Sequence, residues 1–454
     1  MEWLEIEIDT KGEELTVSAR GSRGERPPPQ KIAPDQGLDA LTNLSNKVTR
    51  AVRARKELDS ATLELSREIY GAIFRTELRD SLGRLIEQAR SGSDNSRSNP
   101  GLVRLFLRDR ALIGIPWEVL CKPGTTNGFW GTDPNLVLAR GIHSSDPLVP
   151  REVTGSVSVL VIAPGTDLAM VQVLRDSMAP GIDAGEIEWL DPIAGPDISA
   201  KVLFDRLRRG NTPNIVHFIG NGGIDVKGRP ALRLADDEDG EEVWMTAEAL
   251  GRELTPHFFE GLRLVVLEAC EGAKAGVLGA AAEELAQAGA DAVVAHLWPL
   301  KAEAARLCAV EMYQSLTGAT SLGDIGTTVT SVRRMLLEQS AEAFSPILFL
   351  RGSDSVLFDF SRRKVAKPTG KRRSRVIAPP LQMLLEKPPF TLVVGDVDED
   401  RESFRNDLLN FLEENRDKPD RSMPISVITQ RCVLKFGEEV LHSLFQQAIV
   451  SSSQ

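Results

Sequence analysis

The order of hydrophobic and polar positions changes along the chain, and each part predicts different elements. Near the amino terminus, residues 3–8 and 14–19 alternate apolar and polar side chains, which predicts a β-hairpin. From residue 37 to 90, apolar residues recur every three or four positions, so two or three helices are expected. Two apolar runs then predict strands at residues 102–107 and 136–140.

From Ser156 onward, short apolar runs alternate with segments of helical periodicity. The predicted strands are residues 157–162, 186–190, 214–219, 263–268, 292–297 and 346–350. The predicted helices are residues 168–178, 198–209, 247–253, 278–289, 302–316 and 322–338. This alternation is typical of a parallel sheet with helices on both faces. We therefore expect an α/β fold with a six-stranded, mostly parallel sheet flanked by helices.

Two of the predicted strands end abruptly in small or polar residues. One runs into Asn221, between Gly220 and Gly222, and the other runs into Cys270, directly after Ala269. Reactive groups of open parallel sheets gather at the carboxyl ends of the strands, so Cys270 is placed like a nucleophile.

The four cysteines, Cys121, Cys270, Cys308 and Cys432, are far apart in the sequence. They form no cluster with the spacing of metal ligands and suggest no disulfide framework. The periodicity around Cys308 predicts a core position in a helix. We expect neither a metal nor a cofactor.

These strand ends carry a resemblance to a known family. The glycine-flanked position 221, followed further along by Ala269-Cys270-Glu271 and Gly272, resembles the CHAT branch of the caspase-like cysteine peptidases. Pro116-Trp117-Glu118 resembles a signature that precedes the peptidase core in this family, and the physical default for Trp117 and Glu118 is a structural role. The resemblance covers about residues 1–360 and implies a caspase-like sheet.

In this family, the residue between the two glycines is the catalytic histidine and the cysteine attacks the peptide carbonyl. The resemblance implies that Cys270 is the nucleophile and that the N–H groups of Cys270 and Gly222 stabilise the oxyanion. Gly222 and Gly223 are expected to let substrate approach the backbone closely. The histidine position is occupied by Asn221, whose amide does not accept a proton at physiological pH. General acid-base catalysis contributes about 10²–10⁴-fold, so turnover is expected to be slow or absent.

The sequence contains other histidines that could replace the missing base. His217 lies inside a predicted strand and is interpreted as a core residue. His296 ends the strand predicted beside the one that carries Cys270, so one hypothesis is that it partly restores thiolate formation. The alternative is a histidine at the rim of the sheet that packs against Trp298. His143 and His257 are predicted to lie in loops.

Glu268 precedes the cysteine by two positions, and side chains two apart on a strand face the same way. By the resemblance, Glu268 contributes to a pocket for a basic side chain through a charge-assisted bond. The competing interpretation is a carboxylate paired internally with a neighbouring arginine.

Charge and composition limit the partners. A net charge of −11 argues against binding of the whole chain to nucleic acid or to anionic membranes. No apolar run is long enough to span a bilayer and the first residues lack a basic start, so a cytoplasmic location is expected.

The predicted organisation has four parts. An α+β amino-terminal part of the CHAT domain covers residues 1–150, and the caspase-like core covers residues 151–360. A basic linker follows at residues 361–380, and a small α/β module resembling an adaptor covers residues 381–454.

Two functions from different classes remain open. The first is a binding and assembly protein, a CHAT pseudo-peptidase of bacterial defence or regulated proteolysis. Its strand-end cleft would hold a protein or peptide partner without cleaving it, and its carboxy-terminal module would make adaptor contacts. The second is an active cysteine endopeptidase that cleaves after basic residues. In that case His296 supplies the base, or Asn221 is an engineered replacement of a native histidine.

Overall fold

A computed structural model describes most of the chain up to residue 364. The described residues are 2–11, 14–54, 56–91, 100–125, 128–143, 150–165, 168–234, 242–269, 277–318, 321–337 and 341–364. Cys270, most of the basic linker and the carboxy-terminal module lie outside these ranges. Within them, no helix has the length and apolar character needed to cross a membrane.

The strands of the described residues confirm the predicted hairpin and all the predicted core strands to within a few residues. They are β1 (Trp3–Lys11), β2 (Glu14–Gly21), β3 (Gln30–Ile32), β4 (Gly101–Leu107), β5 (Leu136–Gly141), β6 (Arg151–Glu152), β7 (Val157–Pro164), β8 (Ile187–Trp189), β9 (Ile193–Gly195), β10 (Ile215–Gly220), β11 (Gly222–Ile224), β12 (Pro230–Arg233), β13 (Trp244–Thr246), β14 (Leu264–Ala269), β15 (Ala292–His296), β16 (Pro346–Leu350) and β17 (Phe358–Asp359).

The helices follow the predicted periodicity. They are α1 (Leu38–Arg53), α2 (Ser60–Ile73), α3 (Thr76–Ser91), α4 (Arg110–Ile113), α5 (Leu168–Asp183), α6 (Ala200–Arg209), α7 (Ala247–Glu260), α8 (Val277–Ala288), α9 (Ala302–Thr317) and α10 (Ile325–Leu337). Short 3₁₀ helices add Pro34–Gln36, Trp117–Val119, Trp130–Thr132 and Ala341–Phe344.

One large sheet organises this part of the chain. Its strand order is β3-β2-β1-β4-β5-β16-β15-β14-β10-β7-β8, and β9 also pairs with β7. All pairs are parallel except those of the amino-terminal hairpin, of β2 with β3, and of β15 with β16. The mostly parallel α/β fold is therefore confirmed. The sheet is wider than the six strands predicted, because the hairpin, β4 and β5 join it through β16.

The alternation of side chains along the strands divides the core into two layers. On one face, the sheet packs against α1 to α4 and α6 to α8, and on the other it packs against α5, α9 and α10. In β10, for example, Phe218 faces the first layer, whereas Ile215 and Ile219 face the second. Central strands buried on both faces explain the nearly continuous apolar runs in the sequence.

The α7 helix corrects one prediction. The sequence pattern predicts that it ends at residue 253, but it continues through Pro256 to Glu260. A proline inside a helix removes one backbone hydrogen bond. Leu254 and Phe258, which lie on either side of Pro256, are buried, and their packing maintains the helix. His257 therefore lies in a helix, not in a loop.

Candidate functional site at the strand ends

The ends of β10 and β14 meet as the sequence predicted. The two strands are parallel neighbours, and their register continues to a final pair of Gly220 with Ala269. Asn221 follows Gly220 in the sequence, and Cys270 follows Ala269. The two positions that the resemblance assigns to catalysis thus come directly after one paired position of adjacent strands. Cys270 lies outside the described residues, so the contacts of its sulfur stay a prediction.

Asn221 is held through its backbone. Its carbonyl oxygen accepts a hydrogen bond of 2.9 Å from the N–H of Arg233 in β12. Its side-chain Oδ1 is buried and has no hydrogen-bond partner among the described residues. A buried acceptor without a donor is unfavourable by about 1–3 kcal/mol, so the side-chain oxygen of Asn221 lacks the compensation that buried polar groups normally have.

Gly222 presents its backbone away from β12. The N–H of Arg233 donates to the carbonyl of Asn221, and the N–H of Asp225 donates to the carbonyl of Arg229. These two bonds determine which residue pairs of the β11–β12 ladder are hydrogen-bonded and which are not. The intervening pair, Gly222 with Leu232, is consequently a non-hydrogen-bonded pair. The N–H of Gly222 is therefore off the ladder, as an oxyanion donor requires.

Close packing gives the two glycines a further reason to be present. A Cβ at Gly222 would lie 2.7 Å from a methyl carbon of Leu278 in α8. A Cβ at Gly223 would lie 2.3 Å from the ring of Trp244. Substrate approach is thus not needed to explain either glycine, because neighbouring side chains leave little room for a Cβ at each position.

A chain of buried polar groups lies beneath the strand ends, between the sheet and α9. His217 Nε2 lies 2.9 Å from Glu268 Oε2, and His217 Nδ1 lies 2.8 Å from the hydroxyl of Tyr313. An ionised carboxylate can only accept, so Nε2 of His217 donates to it and Nδ1 accepts from the tyrosine. His217 is thus a satisfied core residue, as predicted. The described partner of Glu268 is an imidazole, not the arginine considered as an alternative.

Burial and mutual contacts shift the pKa values of the groups in this cluster. Burial alone would raise the pKa of Glu268, but the hydrogen bond from His217 and the nearby imidazoles outweigh it and lower the pKa below its usual range. Burial raises the pKa of Tyr313 well above its usual value, with Glu268 adding to the effect. Tyr313 accordingly stays a hydroxyl donor and Glu268 stays ionised at neutral pH.

His296 ends β15, which pairs in parallel with β14, as predicted. It is buried, and its Nδ1 has no hydrogen-bond partner in the described part of the chain. Burial lowers the pKa of His296 to about 4, against the opposing attraction of Glu268. A neutral imidazole of this kind is a weak base at neutral pH.

A small cavity lies between these groups. Its volume is about 20 Å³, and it is lined by His217, Glu268 and His296, by Cys308, by Pro346 of β16, and by apolar side chains of β14, β15, α9 and α10. Such a volume holds roughly one water-sized group. Glu268 keeps 14% of its side-chain surface accessible, so the acid lines the cavity without being sealed in it.

Two further histidines lie elsewhere, whereas Cys308 lines this cavity. His143 stacks on Phe106 with ring centres 4.2 Å apart, and Nδ1 of His257 lies 2.9 Å from the hydroxyl of Thr212. Cys308 is buried in α9, and burial raises its pKa well above the usual value, which confirms a core thiol.

The segment Pro116-Trp117-Glu118 has the structural role that was predicted for Trp117 and Glu118. The indole N–H of Trp117 donates to the carbonyl of Leu112 at 3.0 Å. Glu118 is buried between the guanidinium groups of Arg140, at 3.5 Å, and Arg333, at 3.4 Å.

Tyr313 is the member of the cluster that sequence reasoning missed. It lies in α9, far from both motifs in the sequence, and no local pattern marks it. The pairing of His217 with Glu268 did have a signal. Both are polar residues in otherwise mostly apolar strands. The parallel register pairs His217 with Val266, and Glu268 lies two residues after Val266 on the same face of the sheet.

Comparisons with known proteins identify one family. A family model described as the CHAT domain matches residues 63–347. A comparison with curated proteins gave no match. Among solved structures, two crystal structures of the Saccharomyces cerevisiae separase–securin complex are similar, at 12% identity and TM-scores of 0.46 and 0.44. In each case the match covers 77% of this chain and 30% of the other, so the chain spans less than a third of that protein.

Proposed function

The chain belongs to the CHAT domain family, and from this premise we propose that it is a pseudo-peptidase. In this proposal, the cleft at the strand ends binds a protein or peptide partner without cleaving it, in the cytoplasm, within a bacterial defence or regulated-proteolysis system. The carboxy-terminal module makes adaptor contacts. The observation that carries the proposal is Asn221, which stands where the family places its base and cannot titrate.

The environment of the nearby imidazoles supports the proposal. Both ring nitrogens of His217 are engaged, with Glu268 and with Tyr313. His296 has a pKa of about 4 because it is buried, so it is poorly suited to take a proton from a thiol at neutral pH. The alternative of an active endopeptidase rescued by His296 therefore requires a base far weaker than an ordinary histidine.

The parts that bind substrate in a peptidase also suit a binding protein. The N–H of Gly222 lies off the β12 ladder and can donate to a peptide carbonyl. Glu268 supplies an ionised carboxylate to a cavity with aliphatic walls. This carboxylate suits a basic side chain, whose charge it can meet through a charge-assisted hydrogen bond.

A binding experiment tests the proposal. Short peptides with a central lysine or arginine are titrated into the full chain by calorimetry, beside a norleucine peptide. The basic peptides are expected to bind and the norleucine peptide is not. Glu268→Gln is expected to weaken binding about tenfold or more, since it removes a charge-assisted bond. Glu248→Gln is the matched control, because that glutamate is 61% exposed on another element and should change nothing.

Cys270→Ala distinguishes binding from catalysis in the same experiment. If the cleft only binds, the affinity for basic peptides stays the same without the thiol, and no peptide is consumed by either protein. Equal binding of all three peptides, or loss of peptide to products that require Cys270, would contradict the proposal.

A further inference from the structure

Asn221 is followed by Gly222, and an asparagine before a glycine is chemically reactive. The side-chain carbonyl carbon of an asparagine can be attacked by the backbone nitrogen of the next residue, and glycine has no Cβ to obstruct this attack. The sequence contains two such pairs, Asn127-Gly128 and Asn221-Gly222. Asn127 lies outside the described residues. Asn221 lies between the last residue of β10 and the first residue of β11, so it belongs to neither strand.

We infer that Asn221 is a site of spontaneous deamidation in the folded protein. The strand-end site then gains a carboxylate where the newly made chain carries a neutral amide. The inference does not depend on the proposed function, because the reaction uses only residues 221 and 222 and water.

The reaction has two steps. First, the backbone nitrogen of Gly222 loses its proton and bonds to Cγ of Asn221, and the bond from Cγ to Nδ2 breaks, so that ammonia leaves and a cyclic succinimide remains. Water then adds to one of the two ring carbonyls and opens the ring to aspartate or isoaspartate. Asn221 is only partly buried, so water can reach the ring. The net change consumes one water and releases one ammonia, without an oxidant or a reductant.

Two features of the backbone favour loss of the proton from Gly222. Its N–H is not used in the β11–β12 ladder, because Gly222 and Leu232 form a non-hydrogen-bonded pair. The carbonyl oxygen of Asn221 accepts a hydrogen bond of 2.9 Å from the N–H of Arg233. The charge of a deprotonated amide lies largely on this oxygen, so the donor stabilises the attacking form of the nitrogen.

The side chain of Asn221 is held less firmly than that of Asn214. Oδ1 of Asn221 has no hydrogen-bond partner among the described residues, so turning the carboxamide towards Gly222 breaks no described bond at this atom. Oδ1 of Asn214 accepts from the backbone N–H and from the hydroxyl of Ser158, at 3.0 and 3.1 Å. The β-branched Ile215 follows Asn214. The reaction is therefore expected at Asn221 and not at Asn214.

The product changes the charge of the site. Aspartate and isoaspartate are both ionised at neutral pH. Either one carries its charge directly after Gly220, which pairs with the last residue of β14. A carboxylate is a much weaker base than an imidazole, so deamidation does not supply the missing base. It makes the charge of the site depend on the age of the chain.

Mass spectrometry of the full chain tests the inference. The folded protein and the protein in urea are incubated in mildly alkaline buffer and then digested in acid, which stops further reaction. Asn221→Asp supplies the standard for the aspartate product, and isoaspartate is expected beside it because the succinimide opens on either side. The folded protein is expected to lose Asn221 within about tenfold of the rate in urea, a difference of about 1.4 kcal/mol in the barrier. Because the nitrogen must lose a proton, the rate is expected to fall about tenfold for each unit by which the pH is lowered.

Asn214 and Asn127 are the internal controls. Asn214 is expected to stay intact in the folded protein. A loss of Asn221 that is more than about tenfold slower in the folded protein than in urea would show that the fold protects the pair, and the inference would be wrong. Equal rates at Asn221 and Asn214, or an intact Asn221 beside a deamidated Asn127, would also overturn it.

Discussion

Gly222 combines two requirements at one position. Its N–H is not used in the β11–β12 ladder, and its Cα lies against Leu278 at the start of α8. The helix that follows the segment containing Cys270 is thus packed directly on the segment that follows Asn221. Any side chain at residue 222 would push these two parts of the site apart.

We predict that Gly222→Ala destabilises the protein by about 1–3 kcal/mol, the usual effect of overpacking. Gly71→Ala is the matched control, because a Cβ there meets nothing within 4 Å and the glycine lies inside α2. In a helix interior, alanine is favoured over glycine by roughly 0.5–1 kcal/mol, so the control should be neutral or stabilising. Urea denaturation compares the two. Equal effects of both substitutions would show that Leu278 does not restrict residue 222.

His296 predicts a loss of stability in mild acid. Its pKa is about 4 in the folded protein because it is buried, against 6.5 for an ordinary histidine. Between these values the unfolded chain binds a proton that the folded protein does not, so stability falls as the pH decreases from about 6.5 to about 4. The full effect is about 3 kcal/mol. Glu268, whose pKa is lowered, adds a loss of the same sign at the acidic end.

The measurement is the free energy of unfolding as a function of pH for wild type and His296→Leu. The variant is expected to have a shallower slope between pH 6.5 and 4. Parallel curves would mean that His296 ionises normally in the folded protein.

At the scale of elements, a buried charge cluster joins three segments that are distant in the sequence. Glu118 of the 3₁₀ helix Trp117–Val119 lies between Arg140 of β5 and Arg333 of α10, and all three side chains are about 1% exposed. Arg140 also donates to the carbonyls of Ile113 and Ile115, and Arg333 donates to those of Pro346 and Leu138. Burial lowers the pKa of both arginines, to about 10 for Arg333.

We predict that Glu118→Ala destabilises the protein by about 3–5 kcal/mol, because it leaves two buried guanidinium groups without their carboxylate. The matched control is Glu152→Ala, which removes an acid from a surface pair with Arg362 and should change stability by less than about 1 kcal/mol. Thermal and urea unfolding of both variants give the comparison. A small effect of Glu118→Ala would show that the cluster does not stabilise the junction.

At the scale of the whole molecule, local pattern was enough for the elements but not for their assembly. The strands of the core and the meeting of β10 with β14 follow from apolar runs and from the rules of parallel sheets. That the hairpin β1–β2 belongs to the same sheet, through β4, β5 and β16, depends on long-range pairing that no local pattern encodes. The helix α7, predicted to end at residue 253, continues to Glu260 because burial of Leu254 and Phe258 outweighs the backbone hydrogen bond lost at Pro256.

In the candidate site, too, local sequence predicts individual residues but not the contacts between packed layers. Asn221, Gly222 and Glu268 were assigned by the family resemblance, and His296 by its predicted place at a strand end. The structure pairs β10, β14 and β15 as neighbours. The link from His217 to Tyr313 in α9 depends on packing between layers, so it could not be predicted. The role of Cys270 and that of the carboxy-terminal module stay predictions.

Peptide turnover tests most directly whether the chain is a pseudo-peptidase. A mixture of peptides containing lysine and arginine is incubated with the full chain, with Cys270→Ala and with Asn221→His, and products are followed by mass spectrometry. We predict that the unaltered chain forms no more product than Cys270→Ala. Cleavage by the unaltered chain that disappears in Cys270→Ala would contradict it, whatever Asn221→His does.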